Sequence, residues 1–154
     1  MLAALLVRSK TSFSFALAEL RKRKIEATIV DAAAVHSLHH LEMAAELAKK
    51  SLADGTAVSA RLEMEFLLWL GQSSHVEEAI RRAGAKDGEA AWLVLFDEER
   101  REGDEKIKQL AGELKLEIMK EEEKQKTYPR ALHFWRVKNE NLLFEQMALC
   151  RIRN

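Results

Sequence analysis

Three histidines stand close together near the start of a predicted helix: His36, His39 and His40. Side chains three and four positions apart share a helix face, and imidazole is a common ligand of transition metals. A metal centre also needs further ligands, and no cysteine or acidic residue stands at a recognised metal spacing beside these rings. We therefore interpret them as polar residues at a helix start. A small enzyme that holds a metal through the three histidines is the alternative.

Other candidates for catalysis lack the neighbours that the chemistry requires. His75 stands at a predicted helix start and His133 lies near aromatic residues, but no serine or cysteine nucleophile stands beside either one. Gly84 and Gly88 do not form a nucleotide-binding loop, which needs a closer glycine pattern that opens a helix. Here the glycines follow a helix and precede a strand, as turn residues do. The sequence predicts no catalytic residue, no cofactor and no enzymatic activity.

Two acidic residues, Glu63 and Glu65, stand two positions apart in the stretch Ser59–Phe96, which we call the central segment. Residues at this spacing point to different faces of a helix, so they cannot act as a paired acid and base on one substrate. Apolar residues surround both, and a buried carboxylate would need a partner.

A basic group accompanies the same segment, namely Arg61, Arg81, Arg82 and Lys86. Arginine binds phosphate through two parallel hydrogen bonds, and each phosphate contact adds a salt-dependent increment to RNA binding. The alternative is that these are ordinary solvated charges, balanced by neighbouring glutamates. Both interpretations fit the residue types and their spacing.

The composition limits the class of protein. The chain has 154 residues, of which 25 are basic and 25 acidic, so no net charge draws it toward nucleic acid or an anionic membrane. Its length predicts a single domain spanning residues 1–154. Cys150 has no cysteine to pair with, and no secretory signal is recognisable. We expect a cytoplasmic protein, nuclear as well in a eukaryote, without a membrane segment, since no run reaches the roughly 18 apolar residues that a span requires.

The central segment contains two predicted helices with strong terminal signals. Ser59 is predicted to cap the first helix and Gly71 to end it with a positive φ. Ser74 and Glu77 are predicted to form a capping box for the second helix, which Gly84 ends. The sequence of this segment therefore predicts two successive helices followed by a strand.

Apolar patterning predicts the other elements. Strands are expected at Leu2–Val7, Ile25–Val30, Ala90–Phe96 and Glu113–Lys120, and helices at Ser12–Lys24, Ser37–Leu52, Glu98–Ala111 and Glu140–Ile152. Gly112 is predicted to end the third of these helices, the charge run Glu121–Lys126 to form a solvated loop, and Pro129 to start a short helix. The element order indicates an α+β fold in which helices pack on a small mixed sheet.

The last predicted helix is apolar on more than one side. Its apolar residues sweep around most of a helical wheel: Leu142, Leu143, Phe144, Met147, Leu149 and Ile152. One core cannot cover all of them, and apolar residues left over tend to mark a protein interface. This helix is therefore the predicted partner surface.

Taken in order, these segments resemble the small kinase-binding subunit of the KEOPS tRNA-modification complex, the PRPK-binding protein family. The resemblance covers most of the chain from about Thr28. It is carried by Ile29–Asp31, the His40–Lys50 helix, Leu62–Leu70, Val76–Ile80, Gly84–Gly88 and Ala148–Ile152.

The resemblance implies a non-catalytic subunit that binds an atypical kinase/ATPase subunit and, through it, the threonylcarbamoyl transferase subunit. It also implies recruitment of tRNA by its 3′ CCA end for threonylcarbamoylation of adenosine 37. RNA contacts are then expected at Arg61, Arg81, Arg82 and Lys86, and kinase contacts at Leu143, Met147, Leu149 and Ile152. A stand-alone homodimeric interaction module is a further alternative.

Overall fold

The computed structural model describes residues 2–96 and 100–153, without the side chains of residues 100, 101, 121, 122, 124–127, 129, 152 and 153. Its internal contacts divide the chain into two units. Unit 1 comprises Met1–Ala32 and Ala85–Lys126, and unit 2 comprises Ala33–Gly84 and Thr127–Asn154. The α+β class is confirmed, because unit 1 contains the sheet and unit 2 is helical.

Unit 1 is built on a four-stranded sheet in the order β2-β3-β1-β4. The strands are β1 (Leu2–Arg8), β2 (Ala27–Asp31), β3 (Ala91–Phe96) and β4 (Glu117–Ile118). β3 lies between β1 and β2 and runs antiparallel to both, and β4 is antiparallel to β1. The described pairs are therefore antiparallel rather than mixed. β1 and β2 run in the same direction, but β3 separates them.

The buried strand predicted in the central segment is confirmed as β3, in which all six residues are buried. Such a continuous apolar run is typical of a strand covered on both faces. The predicted last strand is much shorter in the structure. The preceding helix continues to Glu113, and Lys115 then takes a left-handed conformation with φ of 59° that turns the chain before β4.

Helices α1 (Ser14–Lys22) and α5 (Arg100–Glu113) pack on one face of this sheet. Leu20 of α1 and Ile107 and Leu110 of α5 join the strand residues in one apolar cluster. Gly112 lies inside α5, so its prediction as a helix end is wrong. The first two residues of the predicted helix, Glu98 and Glu99, lie outside the described residues.

Unit 2 contains the remaining helices, apart from Ala32 of the 3₁₀ turn and residues 121–126 of α6, which belong to unit 1. A 3₁₀ turn, Ala32–Ala34, follows β2 in the chain and leads to α2 (Leu38–Asp54), α3 (Leu62–Leu70), α4 (Val76–Ala83), α6 (Glu121–Phe134) and α7 (Glu140–Arg153). The predicted loop at Glu121–Lys126 is wrong, since this run starts α6, and Pro129 lies within α6 rather than at its start. Glutamate, lysine and glutamine are good helix formers, which favours a helix over a loop there.

Ser37 caps α2, where no cap was predicted, and the cap predicted at Ser59 is wrong. The Ser37 hydroxyl oxygen accepts a hydrogen bond from the backbone N–H of His40 at 3.0 Å. At α3 the cap position is held by Arg61, and Ser59 does not cap the helix. The backbone N–H of Ser59 instead donates to the Glu65 carboxylate at 3.2 Å.

Gly71 is required for close packing rather than for a positive φ. Its φ is −77°, and the left-handed position is held by Gln72, with φ of 52°. A Cβ on Gly71 would lie 3.0 Å from the Cα of Ala79 and 3.0 Å from the carbonyl oxygen of Leu67. Any side chain here would push α3 and α4 apart, so the glycine sets the approach of the two helices.

The capping box predicted for α4 is wrong, because His75 holds the cap position and no side chain caps the helix. The Ser73 hydroxyl, rather than that of Ser74, accepts from the N–H of His75 at 2.9 Å and lies 3.1 Å from an oxygen of Glu78. These bonds fix the turn before α4 and tie it to Glu78 in the helix. The predicted end of α4 at Gly84 is confirmed.

No helix within the described ranges combines the length and the apolar content that crossing a bilayer requires.

Candidate functional site

The four basic residues predicted to contact RNA fall in different units. Arg61, Arg81 and Arg82 belong to unit 2, whereas Lys86 belongs to unit 1. Arg61 lies at the start of α3 and donates from Nε to the Glu63 carboxylate at 2.6 Å. The Lys86 ammonium donates to Asp31 at 3.0 Å. Both side chains are already held by a carboxylate, which reduces their availability for phosphate.

The two arginines of α4 differ in their surroundings. Arg82 contacts the Glu78 carboxylate, and its Nη1 donates to the carbonyl oxygens of Gly71 at 3.3 Å and Gln72 at 3.0 Å. These bonds fasten the loop between α3 and α4. Arg81 is 73% exposed and reaches Glu78 only at 4.0 Å. Arg81 is therefore the member of the group that is best placed to meet a ligand in solution.

Next to Arg81 lies an apolar strip that the sequence interpretation missed. Val76 is 38% and Ile80 47% exposed, and the two lie one turn apart on α4. The helix buries only small residues, Ala79 and Ala83, on its inner side. The sequence contained a signal for this arrangement: Ala79 and Ala83, four positions apart, mark the packed face of the helix, and Val76 and Ile80 mark the exposed face. We call Val76, Ile80 and Arg81 the α4 outer face.

The predicted kinase contacts on α7 also separate into two groups. Leu143 and Met147 are completely buried, so they hold the helix in place rather than offer free surface. Leu149 is half-buried, and the Ile152 side chain lies outside the described residues. Leu142, which is 42% exposed, stands seven positions before Leu149 and hence on the same face.

Between these leucines, the exposed Glu145 and Ala148 complete an open surface along α7. We call Leu142, Glu145, Ala148 and Leu149 the α7 outer face. The helix itself is well defined at its start, where Asn139 accepts a hydrogen bond from the N–H of Leu142 at 2.9 Å. An asparagine at this position is a strong helix cap.

A buried polar cluster fixes the other end of α7. Glu65 of α3 is fully buried, and its Oε2 lies 2.7 Å from Nη1 of Arg151. The same oxygen accepts from the Ser51 hydroxyl and, at 3.2 Å, from the Trp69 indole N–H. The Arg151 guanidinium also stacks over the Trp69 ring, with its central carbon 4.2 Å from the ring centroid. The pair thus joins α3 to the last turns of α7.

The surroundings of Glu65 keep its carboxylate charged. Burial by itself would raise the pKa of Glu65, but hydrogen bonds from Arg151, Ser51 and the Ser59 backbone, with the Arg151 charge, hold that pKa below its ordinary value. Its second oxygen accepts from the N–H of Val58 at 3.0 Å. The expectation that a buried member of the Glu63 and Glu65 pair needs a partner is confirmed. The partner, Arg151, was not predicted, because it is remote in sequence.

The three histidines lie at the start of α2, beside the first residue of α7. His39 Nδ1 is 3.4 Å from Oε1 of Glu140, and His36 Nε2 is 4.0 Å from Oε2. His40 is fully buried and its Nδ1 accepts from the N–H of His36 at 3.1 Å. Burial, assisted by nearby His36, lowers the pKa of His40 to about 3, so this ring is neutral.

Among the side chains that the structure describes, no three histidine, cysteine or acidic groups are arranged to hold a metal ion. The histidine rings instead contact α7: the His39 ring meets that of Phe144 edge to face, at 4.9 Å between centroids. Their geometry supports a contact between helices.

Comparison with known proteins gives one family. A model of the family described as kinase binding protein CGI-121 matches residues 7–148. The matched range includes both α4 and most of α7. No curated protein matches the chain significantly.

Proposed function

Because the chain belongs to the family of kinase binding protein CGI-121, we propose that it is the small subunit of a KEOPS-type complex. In this role it binds the atypical kinase/ATPase subunit and recruits tRNA through the 3′ CCA end, with no chemistry of its own. The family match over residues 7–148 is the observation that carries the proposal. Contact with the threonylcarbamoyl transferase subunit is then indirect, and the place of action is the cytoplasm.

We assign the kinase contact to the α7 outer face. Leu142 and Leu149 offer apolar area on one side of a helix whose other side is fixed by buried Leu143 and Met147. Fully burying an exposed leucine contributes about 1.5–3 kcal/mol, so these partly exposed leucines contribute about half of that or less each, before the costs of association. A rigid helix loses little freedom when a partner docks, so less of the free energy from burying the two leucines is offset by ordering.

The kinase assignment is tested with the double substitution Leu142→Glu and Leu149→Glu. Charged groups in the interface should lower the affinity for the kinase subunit at least tenfold, because each would have to be desolvated on binding. Val58→Glu is the matched control, since Val58 is 49% exposed and lies outside α7. Undiminished co-purification of the double variant with the kinase subunit would remove α7 from the interface.

We assign the RNA contact to the α4 outer face. The bases of a single-stranded 3′ end are unstacked and can pack on apolar side chains, while arginine meets the phosphates. Val76 and Ile80 supply the apolar strip and Arg81 the cation. Arg82 stabilises α4 next to this face, because it donates hydrogen bonds to the carbonyl oxygens of Gly71 and Gln72 in the preceding loop.

The RNA assignment is tested by measuring affinity for tRNA with and without its terminal CCA. Removing the CCA should weaken binding by the wild-type chain, and Arg81→Glu should abolish this difference. Arg21→Glu, a charge reversal on exposed α1 in unit 1, is the control and should preserve the difference. Equal affinity of the wild-type chain for both tRNAs would contradict recruitment through the 3′ end.

A further inference from the structure

Unit 1 contains an open cleft that none of the assignments above uses. It is lined by Ser9, Lys10 and Thr11, which follow β1, and by Lys115, Leu116 and Glu117 around β4, and has a volume of about 610 Å³. The antiparallel pairing of β1 with β4, in which Arg8 lies opposite Glu117, brings the two segments together. We call this the β4 cleft. Its position is therefore set by the sheet itself.

The β4 cleft carries an excess of positive charge. Lys10 and Lys115 line the cleft, and Arg8 and Lys120 flank its lining segments in the chain. All four are exposed, and none of them has an ion-pair partner among the described residues. Two other basic groups of unit 1 are paired, Arg23 with Glu113 at 3.1 Å and Lys86 with Asp31 at 3.0 Å. Glu117 is the acidic residue in the cleft lining. In a chain without net charge, unpaired cations around one cleft create a local field that attracts anions.

Lys115 is held in the cleft by an unfavourable backbone conformation. It ends α5 in the left-handed region, where a residue other than glycine costs about 1–2 kcal/mol. The turn is closed by hydrogen bonds from the N–H of Lys115 to Gly112 at 3.1 Å and from Leu116 to Ala111 at 2.9 Å. A conformation of this kind, kept without glycine, is a reason to look for a role of the side chain.

That side chain lies over an exposed aromatic ring. The Lys115 ammonium is 5.2 Å from the centroid of Phe15, which is 46% exposed. Cations beside an open aromatic ring are the combination that binds single-stranded nucleic acid, in which phosphates meet the cations and bases stack on the ring. An acidic peptide is the competing ligand, but β4 has only two residues and offers little edge for a peptide strand to extend.

We propose that the β4 cleft is a second RNA-binding surface, which takes phosphates of the tRNA outside its 3′ end. The identity of the RNA rests on the proposed function, whereas the cleft itself rests on the geometry of unit 1. Lys10 and Lys115 bind phosphate from two sides of the cleft, and Phe15 stacks on an unpaired base.

The test uses tRNA that lacks the terminal CCA, so that contacts to the 3′ end do not contribute. Affinity is measured at several salt concentrations for the wild-type chain and for Lys10→Glu with Lys115→Glu. The cleft variant should bind the RNA at least tenfold more weakly. The slope of log affinity against log salt concentration should also become shallower by about 2, since each lost phosphate contact removes about one unit. The control, Lys22→Glu with Lys108→Glu, makes the same charge change on exposed α1 and α5 and should stay within threefold of wild type.

Lys115→Gly separates binding from stability. Glycine adopts the left-handed conformation without steric cost, so this variant should have a melting temperature equal to or above that of the wild type. It should still bind the RNA several-fold more weakly, because it lacks the ammonium group. Unchanged affinity of the Lys10 and Lys115 variant, or an equal loss in the control, overturns the proposal. Binding of polyglutamate to the same proteins is measured as well. If the Lys10 and Lys115 variant loses polyglutamate binding but keeps RNA binding, the cleft binds an acidic peptide and the proposal is also overturned. None of these results depends on whether the CCA end is recognised.

Discussion

The two units of this protein bury different kinds of residues. The core of unit 1 is an apolar cluster, and Arg23, which pairs with Glu113, lies at the surface. Unit 2 buries Glu65 and His40 completely, whereas the buried carboxylate of unit 1, Asp31, is paired with Lys86 at 3.0 Å and lies outside that apolar cluster. An apolar core has no charge or hydrogen bond that a change of pH or of one polar neighbour could remove. A buried charge or ring nitrogen, in contrast, depends on particular partners. The position of α7, the proposed kinase-binding helix, is therefore more sensitive to single substitutions and to pH than the sheet is.

The largest difference between the units should follow from removing a charge. Arg151→Met leaves the buried Glu65 carboxylate without its cation and should lower the free energy of unfolding by about 3–5 kcal/mol. Arg23→Met breaks exposed ion pairs in unit 1 and should cost below about 1 kcal/mol. Urea unfolding followed by tryptophan fluorescence measures both. Equal losses would contradict the contrast between the units.

A cavity in the sheet should cost nearly as much, but through packing. Leu93 is fully buried at the centre of β3, so Leu93→Ala should lower the free energy of unfolding by about 3 kcal/mol. This loss should be the same at pH 7.5 and pH 5, because the cluster around Leu93 is apolar. A cost that changes with pH would show that titrating groups act on the unit 1 core.

Acid should weaken unit 2 through His40. The unfolded chain protonates this ring near pH 6.5, but the folded chain does so only near its pKa of about 3, so stability is lost as pH falls through this window. Between pH 7.5 and pH 5 the loss should be about 2 kcal/mol. His40→Gln should remove this part of the pH dependence, and His75→Gln, at an exposed position, should retain it. Glu65, with its lowered pKa, adds a further loss below its ordinary range.

The smallest effects concern helix ends and should be alike in both units. Lys24 after α1 and Arg136 after α6 have positive φ values of 54° and 57° and are exposed. Lys24→Gly and Arg136→Gly should each raise the free energy of unfolding by about 0.5–1 kcal/mol. Arg21→Gly, inside α1, should lower it by about 1 kcal/mol. A loss at Lys24 or Arg136 would indicate that these side chains make stabilising contacts.

These helix ends also explain where prediction from sequence was limited. The apolar runs of β1 and β3 and the period of α2 identified those elements, because burial dictates both patterns. Glycine was expected at positive φ, yet Gln72 and Lys115 take that conformation, while Gly71 serves packing. Long polar residues carry no turn signal, so α5 ends later than predicted.

The candidate surfaces were predictable only in part. Periodicity predicted α7 as a helix with more apolar residues than one core needs, but not which of them are buried. Leu143 and Met147 are buried and Leu142 is exposed. This difference depends on tertiary contacts within unit 2, which periodicity alone does not give. The basic residues were found by type, whereas pairing of Arg61 with Glu63 and Lys86 with Asp31 depends on the fold. The kind of partner came from the family resemblance.

The most direct test of the account is the mass of the complex formed with the kinase/ATPase subunit, measured by light scattering after size exclusion. The wild-type chain and Val58→Glu should each form a 1:1 complex, and the Leu142→Glu, Leu149→Glu variant should elute separately from the kinase subunit while keeping its own fold. A stable complex with the double variant would contradict binding through the α7 outer face. Absence of any complex with the wild-type chain would contradict the kinase-binding role itself.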